Sequence, residues 1–182
     1  MELVVPSLDR LDAYADALRR GFWSDNTRRE ESAREELERI AADPAGFVAS
    51  LDDPLAKGPP ITLPDGSTVP RLPGYRRWMW DDGLCGNVNF RWQAGTTALP
   101  PYCLGHVGYA VVPWKQRRGY ATRALALQLP ACRREGLAYV ELTTDRDNLA
   151  SQKVITVNGG ALVEAFLADR HGKEQLRFRI AL

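Results

Sequence analysis

The 182-residue sequence has few of the features that mark several large classes of protein. Lysine and arginine (24) nearly balance aspartate and glutamate (23), so the net charge is +1 and the positive excess typical of a nucleic-acid binder is missing. No run of eighteen apolar residues occurs, which argues against a membrane-spanning helix. Two common phosphate-binding patterns, G-x-x-x-x-G-K-[ST] and a G-x-G-x-x-G that follows a strand, are also absent.

Cysteine and histidine are scarce. The three cysteines (Cys85, Cys103 and Cys132) form no C-x-x-C pair, and the two histidines, His106 and His171, lie far apart in the chain. We therefore expect neither a disulfide framework nor a metal site. The first ten residues lack the charged and apolar regions of a secretory signal. Together these features predict a protein of the reducing cytoplasm.

Apolar residues are plentiful enough for a folded domain. They make up 45% of the chain, which predicts one domain over residues 1–182. Their spacing predicts a strand, two helices, three strands, a helix, a strand, a helix and two strands. This order indicates an α+β fold with a mixed sheet covered by helices. The predicted segments are 2–5, 8–22, 27–43, 75–80, 84–92, 105–112, 119–134, 137–144, 148–157, 161–168 and 174–182.

Three local patterns refine these predictions. Thr27 and Glu30 have the spacing of a capping box at the start of the second helix. The proline-rich segment 52–74, with turn residues at 64–67, predicts an irregular excursion or a small hairpin. Pro130 predicts a kink or an early end in the helix that contains it.

The segment Gly105–Thr122 carries the most chemical information. A hydrophobic strand ends at Pro113, a basic loop follows, and a helix begins near Gly119. The start of a helix presents unpaired N–H groups and partial positive charge, which favours a phosphate or pyrophosphate. Lys115, Arg117 and Arg118 add positive charge to this loop.

Two motifs in this part of the chain resemble those of one superfamily. Residues 116–121, QRRGYA, fit the pattern [Q/R]-x-x-G-x-[G/A], and residues 147–151, DNLAS, are followed by the turn Asn158-Gly159-Gly160. With one helix and one strand between the motifs, the chain resembles the GCN5-related N-acetyltransferase (GNAT) superfamily, and within it a group of uncharacterised bacterial acetyltransferase-like proteins. The resemblance implies a mostly antiparallel, twisted sheet.

The resemblance also implies acetyl-CoA as cosubstrate, with no metal. In this superfamily the strand before the loop bends at a bulge and splays from the next strand, and acetyl-CoA lies in the gap. Carried over by position, the pantetheine arm would pair with main-chain groups and lie beside two side chains of the second motif, and the pyrophosphate would bind the N–H groups of the loop. The implied residues are Tyr109, Ala110 and Val111 for the main-chain pairing, Asn148 and Ser151 beside the arm, and Gln116, Arg117, Arg118, Gly119, Tyr120, Ala121 and Thr122 for the pyrophosphate, with Lys153 as a further phosphate contact.

The implied reaction is direct transfer of an acetyl group to a primary amine, on a small molecule or a peptide. Relatives often have a glutamate where this chain has His106, so His106 is the candidate general base; a hydrogen-bonded structural histidine is the alternative. Glu141, Asp81 and Asp82 are weaker candidates. Ile155 stands where relatives often have the tyrosine that protonates the leaving thiolate, which leaves the general acid unassigned.

Other interpretations are open at this point. The missing tyrosine and glutamate fit a catalytically inactive CoA-binding sensor or partner-binding module. Cys103 and His106 have a spacing compatible with a cysteine hydrolase, but nothing supplies the orienting partner. Trp23 and Asp25 offer a ring and a carboxylate for an acceptor ammonium group. We expect neither nucleic acid nor membrane as a partner, and a monomer or homodimer.

Overall fold

The computed structural model describes residues 1–63, 65–167 and 173–182. Its five helices are α1 (Leu8–Arg19), α2 (Arg29–Ala42), α3 (Pro44–Ala49), α4 (Tyr120–Arg134) and α5 (Leu149–Val157). A short 3-10 turn, Pro113–Lys115, precedes α4. No helix of the described residues is both long and apolar enough to cross a membrane.

The strands form two larger sheets and one small ribbon. They are β1 (Glu2–Val4), β2 (Asp52–Asp53), β3 (Ile61–Thr62), β4 (Thr68–Val69), β5 (Gly74–Trp80), β6 (Leu84–Arg91), β7 (Val107–Val111), β8 (Tyr139–Asp145), β9 (Ala161–Leu167) and β10 (Glu174–Ala181). The first sheet has the order β1-β5-β6-β7, with β2 also paired to β5, and the second has the order β8-β10-β9. Strands β3 and β4 form the ribbon. All these pairings are antiparallel.

The α+β class and the element order predicted from the sequence are confirmed. The small hairpin predicted as one alternative for the proline-rich segment is present as β3 and β4. Two features differ: α3 follows α2 directly, and the mixed sheet is divided into two antiparallel sheets. The division lies between β7 and β8, which are neighbours but are not joined by a ladder of hydrogen bonds. The predicted end of the ninth strand segment at Ala168 and the turn at 169–172 lie outside the described residues.

The start of α2 corrects the predicted capping box. Arg28 occupies the N-cap position and makes no side-chain cap bond. Instead, Asp25 Oδ1 accepts from the N–H groups of Thr27 (2.7 Å) and Arg28 (3.2 Å), because a carboxylate placed before the helix reaches the N–H groups that the first turn leaves unpaired. At the other end, Asp43 caps the next helix through Gly46 N–H, and Pro44 begins it.

Helix α4 continues past Pro130 to Arg134, so the predicted early end is wrong. Pro130 is exposed, and the buried face of the helix continues on both sides of it, at Leu125, Gln128 and Cys132. Tertiary packing of that face outweighs the loss of one helical hydrogen bond. The helix ends as expected at Gly136, which adopts φ +80°.

Two apolar clusters lie on opposite faces of the first sheet. One joins α1, α2 and α3 to Trp78 and Val112, with Tyr14 stacked on Trp78 at 4.9 Å. The other joins α4, α5 and the second sheet to residues such as Val88 and Phe90. Helices therefore cover both faces, and β7 lies at the edge of the first sheet, next to β8.

Candidate functional site

The two sheets meet at His106 and separate beyond it. The main-chain N–H of His106 donates to the carbonyl of Glu141 on β8 at 2.8 Å, and the ring nitrogen Nδ1 of His106 accepts from the main-chain N–H of Glu141 at 2.9 Å. Past this point β7 and β8 belong to different sheets, and no ladder joins them. A cleft between two neighbouring strands is the result.

Alternate residues of β7 direct their main-chain groups toward β6, and the residues between them face this cleft. The bonds Arg91 N–H to His106 C=O and Val112 N–H to Cys85 C=O mark the two ends of the β6–β7 ladder. Since residues alternate in direction along a strand, Tyr109 and Val111 turn their N–H and C=O groups away from β6, toward the cleft. Two of the three main-chain positions implied by the resemblance therefore lie on the open edge.

Ala110, the third residue implied for main-chain pairing, faces the other way. Its carbonyl oxygen lies 2.1 Å from where a Cβ on Gly86 would be, so it faces β6 rather than the cleft. Only glycine fits at position 86, which has φ +150°. The implied bulge is displaced as well: the β6–β7 register is constant, whereas the β5–β6 register shifts at Met79/Trp80, which places the irregularity on β6 near Gly86.

Side-chain amides bind both cleft-facing carbonyls. Asn26 Nδ2, from the loop between α1 and α2, donates to Tyr109 C=O at 3.1 Å. Gln116 Nε2 donates to Val111 C=O at 3.5 Å. Amide groups of a ligand that lay along β7 would therefore replace the amide groups of the protein.

The turn before α4 is an array of free donors. Arg117 has φ +59° and Gly119 has φ +79°, an alternation that turns successive N–H groups the same way. The N–H groups of residues 117–122 have no acceptor in the described chain, whereas Arg123 N–H donates to Gly119 C=O. Residues 116–119 are exposed and Tyr120, Ala121 and Thr122 are half-buried at the helix start. Six consecutive free N–H groups with a helix dipole behind them suit a pyrophosphate.

The basic side chains of the turn divide into two groups. Arg117 and Arg118 are exposed and form no ion pair with a described residue. Lys115 points away instead, because its Nζ donates to the carbonyls of Asp81 (2.9 Å) and Asp82 (3.0 Å) in the β5–β6 hairpin. Tyr120 also contacts this hairpin, since its hydroxyl donates to Asp81 Oδ2 at 3.1 Å. Positive charge for an anion therefore comes from the two arginines.

The second motif lies at the start of α5, beside the cleft. Asn148 Oδ1 caps the helix by accepting from Ser151 N–H at 3.1 Å. Ser151 Oγ is 2.9 Å from the Tyr109 hydroxyl, which joins α5 to β7. Burial raises the pKa of Tyr109 to about 12, so the phenol is a proton donor at neutral pH. Asn158 completes this arrangement by donating to Thr122 C=O at 3.2 Å, which ties the end of α5 to the first turn of α4.

His106 itself is fully buried. Because Nδ1 accepts from Glu141 N–H, the ring proton is on Nε2, which donates to Thr97 C=O at 2.9 Å. Burial lowers the pKa of His106 below 6.5, so the ring is neutral at pH 7. Both ring nitrogens thus have main-chain partners, and this geometry favours the structural alternative over the general base.

Glu141, the residues suggested for an acceptor ammonium group and the cysteine suggested for a hydrolase have other contacts. Glu141 is paired with Arg179 at 2.8 Å, and the Asp25 carboxylate holds the turn before α2. Trp23 lines a groove of about 320 Å³ between α1 and α2, and no residue of β7 contributes to the lining of that groove. Cys103 donates weakly to Gly105 C=O, and both ring nitrogens of His106 are bonded to other residues.

One contributor, Asn26, was missed by the sequence interpretation. Asn26 lies in an irregular loop that carries no recognisable motif, so only the three-dimensional path of that loop brings it to β7. Ile155, which stands where relatives often have a tyrosine, is fully buried in the apolar cluster that joins α4 and α5 to the second sheet.

Comparison with known proteins agrees with this geometry. The family model described as the acetyltransferase (GNAT) domain matches residues 65–161, more than half of the chain. No protein of curated function matches the sequence significantly.

Solved structures share the fold over nearly the full length. A protein from Bordetella pertussis described as belonging to the GnaT acetyltransferase family has 18% identity and a TM-score of 0.59, over 98% of this chain and 94% of that chain. The Microcin C7 self immunity acetyltransferase MccE, in complex with acetyl-CoA and AMP, has 10% identity and a TM-score of 0.60, over 99% and 91%. A variant of the spermidine N-acetyltransferase SpeG from Vibrio cholerae has 12% identity and a TM-score of 0.60, over 100% and 95%.

The splayed strands, the free N–H groups before α4 and the matched domain define the class of protein. The chain belongs to the GNAT family of acetyltransferases, and is therefore an acyltransferase. The superfamily predicted from its two motifs is confirmed.

Proposed function

We propose that this protein transfers an acetyl group from acetyl-CoA to a primary amine by direct attack. The observation that carries the proposal is the row of six free N–H groups at residues 117–122, next to a strand edge with two cleft-facing main-chain positions. Such an array fits a pyrophosphate, and the strand edge fits an amide-containing arm. Acetyl-CoA contains both groups, and it supplies the acetyl group as an activated thioester.

The chain would hold the cosubstrate mainly through main-chain groups. The N–H groups of Arg117 to Thr122 bind the pyrophosphate, and Tyr109 and Val111 pair with the pantetheine amides once Asn26 and Gln116 release their carbonyls. Ser151, beside the Tyr109 hydroxyl, borders the arm. Asn148 supports this wall as the cap of α5 rather than as a direct contact.

The acceptor amine has to lose a proton before it attacks, because a free alkylamine has a pKa of about 10.4. We propose that water takes this proton, since both ring nitrogens of His106 already have main-chain partners. The cleft-facing N–H of Val111 is the candidate donor to the oxygen that gains negative charge as the carbon–nitrogen bond forms.

The leaving thiolate needs little help. A thiol pKa of about 8.5 makes it a tolerable leaving group, so the carbon–sulfur bond can break and the sulfur can take its proton from solvent. The apolar Ile155 therefore does not prevent catalysis. The Tyr109 hydroxyl, which stays protonated at neutral pH, is a further candidate proton donor to the sulfur.

We also propose that residues 1–182 form a single acetyltransferase domain, because the apolar clusters pack on opposite faces of one sheet and share its strands. The cytoplasmic location, the absence of nucleic-acid and membrane partners, and the monomer or homodimer state stay predictions from the sequence.

Calorimetric titration with acetyl-CoA tests the proposal directly. We expect binding, with only a severalfold loss of affinity in Arg118→Ala, since main-chain groups dominate the recognition. Thiol release during incubation with a panel of primary amines then tests transfer.

The two assays distinguish two kinds of failure. An absence of heat with acetyl-CoA would refute the cosubstrate assignment. Binding without turnover on any amine of a broad panel would favour the catalytically inactive CoA-binding module instead.

A further inference from the structure

A stripe of polar side chains crosses the face of the first sheet that is opposite α4 and α5. Asn87, Asn89 and Arg91 alternate along β6 and share one face, as residues two apart on a strand do. In register with them on β7 are Ala110, beside Asn87, and Gly108, beside Asn89. The stripe leads from an exposed residue, Arg91, to a fully buried one, Asn87. We call these three residues the polar stripe.

The Arg91 side chain is a charged group of this face. Its Nη2 lies 3.3 Å from the position of a Cβ on Gly108, so the guanidinium lies over β7 in space that glycine leaves open. No described residue forms an ion pair or a hydrogen bond with the Arg91 side chain. An unpaired guanidinium is a ready site for a carboxylate.

Two carboxylates near the polar stripe are already paired, whereas that of Asp25, beside Ser24, accepts from main-chain N–H groups and forms no ion pair with a described residue. Glu36 accepts from Arg76 (2.9 Å), Ser24 (2.8 Å) and Tyr14 (2.5 Å), and Glu141 is paired with Arg179. A polycationic acceptor would therefore meet a positive charge at Arg91 without a free carboxylate from these two residues to offset it.

The inner end of the polar stripe lacks partners. Both polar side-chain atoms of Asn87 are buried and have no hydrogen-bond partner in the described chain. Asn89, by contrast, is held by Arg76 Nε at 2.9 Å and by Ser24 C=O at 3.5 Å. A buried amide without a partner is costly unless a ligand or water satisfies it, and this one lies directly beside Ala110.

We propose that the acceptor is a small primary amine that carries a carboxylate, with Arg91 binding the carboxylate and Asn87 accepting from the amine. This inference rests on the proposed function, because the reacting nitrogen has to lie beside Ala110, between the cleft-facing Tyr109 and Val111. Gly108 and Ala110 are two strand residues apart, so the guanidinium lies about 7 Å from that position. A short amino acid spans this distance.

Steady-state kinetics with matched acceptor pairs test the inference. The pairs are glycine, β-alanine and 4-aminobutyrate, each against its carboxamide, with spermidine as a polycation. At saturating acetyl-CoA we expect at least a tenfold higher kcat/KM for one or more acids than for the matching amide. In Arg91→Gln that preference should disappear because kcat/KM falls for the acid and not for the amide, while the Kd of acetyl-CoA is unchanged. Arg133→Gln, an exposed substitution at the far end of α4, is the control and should keep the preference.

Three results would overturn the inference: equal use of acids and amides, a preference for spermidine, or an Arg91→Gln variant that loses activity equally on both members of a pair. Each leaves acetyl-CoA binding intact and so spares the proposed cosubstrate. Loss of acetyl-CoA binding in the wild-type protein would instead refute the proposed function, and the acceptor assignment with it. Thermal unfolding of each variant shows that the fold is kept.

Discussion

The His106 ring joins the two sheets, and its contacts predict how stability depends on it. His106→Phe keeps a ring of similar size but leaves Glu141 N–H and Thr97 C=O without partners. An orphaned buried polar group costs about 1–3 kcal/mol, so the two together lower the free energy of unfolding by about 2–6 kcal/mol. His106→Asn keeps an acceptor near the Nδ1 position, and we expect it to recover about half of the loss.

The same contacts predict a pH dependence. Burial lowers the pKa of folded His106 below 6.5, whereas the unfolded chain titrates near the ordinary value. Between these two values the unfolded state binds a proton that the folded state does not, so stability falls as the pH drops below about 6.5. The slope is at most about 1.4 kcal/mol per pH unit. Above pH 7 both states are neutral and this contribution is complete.

Urea unfolding at pH 7.5 and pH 5.5 measures both effects. The wild-type protein should lose stability on acidification relative to His106→Phe, so the difference in free energy of unfolding between the two narrows. Comparing the two proteins cancels the contributions of the titratable groups that they share. A gap under 1 kcal/mol, or one that stays constant with pH, would refute the argument. If His106 were the general base, His106→Gln would flatten the acid limb of the rate profile; we expect that limb to persist in His106→Asn.

Two further predictions concern the turn and the core. Gly119→Ala and Gly95→Ala impose the same strain, since both glycines have φ near +79° and open space at Cβ, and each should cost about 1–2 kcal/mol in thermal unfolding. Only Gly119→Ala should weaken the affinity for acetyl-CoA, by tenfold or more in calorimetry. Equal affinities in the two variants would contradict the site. Glu36→Ala leaves the half-buried Arg76 without its carboxylate and should cost about 3–5 kcal/mol in urea unfolding. The control Glu31→Ala, at an exposed ion pair, should cost under about 1 kcal/mol. Similar losses in both variants would contradict the structural role of the Glu36–Arg76 pair.

Local sequence was sufficient for most of the elements, α3 and β2 excepted, and for the turn before α4. The strand that stops near Pro113, the glycine at 119 and the apolar period after it depend on neighbours in the chain, so the free N–H groups could be predicted from sequence. The same holds for Asn148, although its observed role is a helix cap. Pro130 shows the limit of such local rules, because packing of α4 outweighed them.

Long-range pairing decided the rest of the site. Whether Ala110 or Val111 faces the cleft depends on the register with β6, which alternates with every residue and has no signature within β7 itself. The pairing of His106 with Glu141, and the contact of Asn26 with Tyr109, join positions that are far apart in the chain. The sequence by itself determined the family, the order of elements and the place of the phosphate-binding turn, because these are encoded over a few successive residues. Only the tertiary structure decided which atoms line the cleft and that Arg91 has no side-chain partner among the described residues, because such facts depend on how distant strands align.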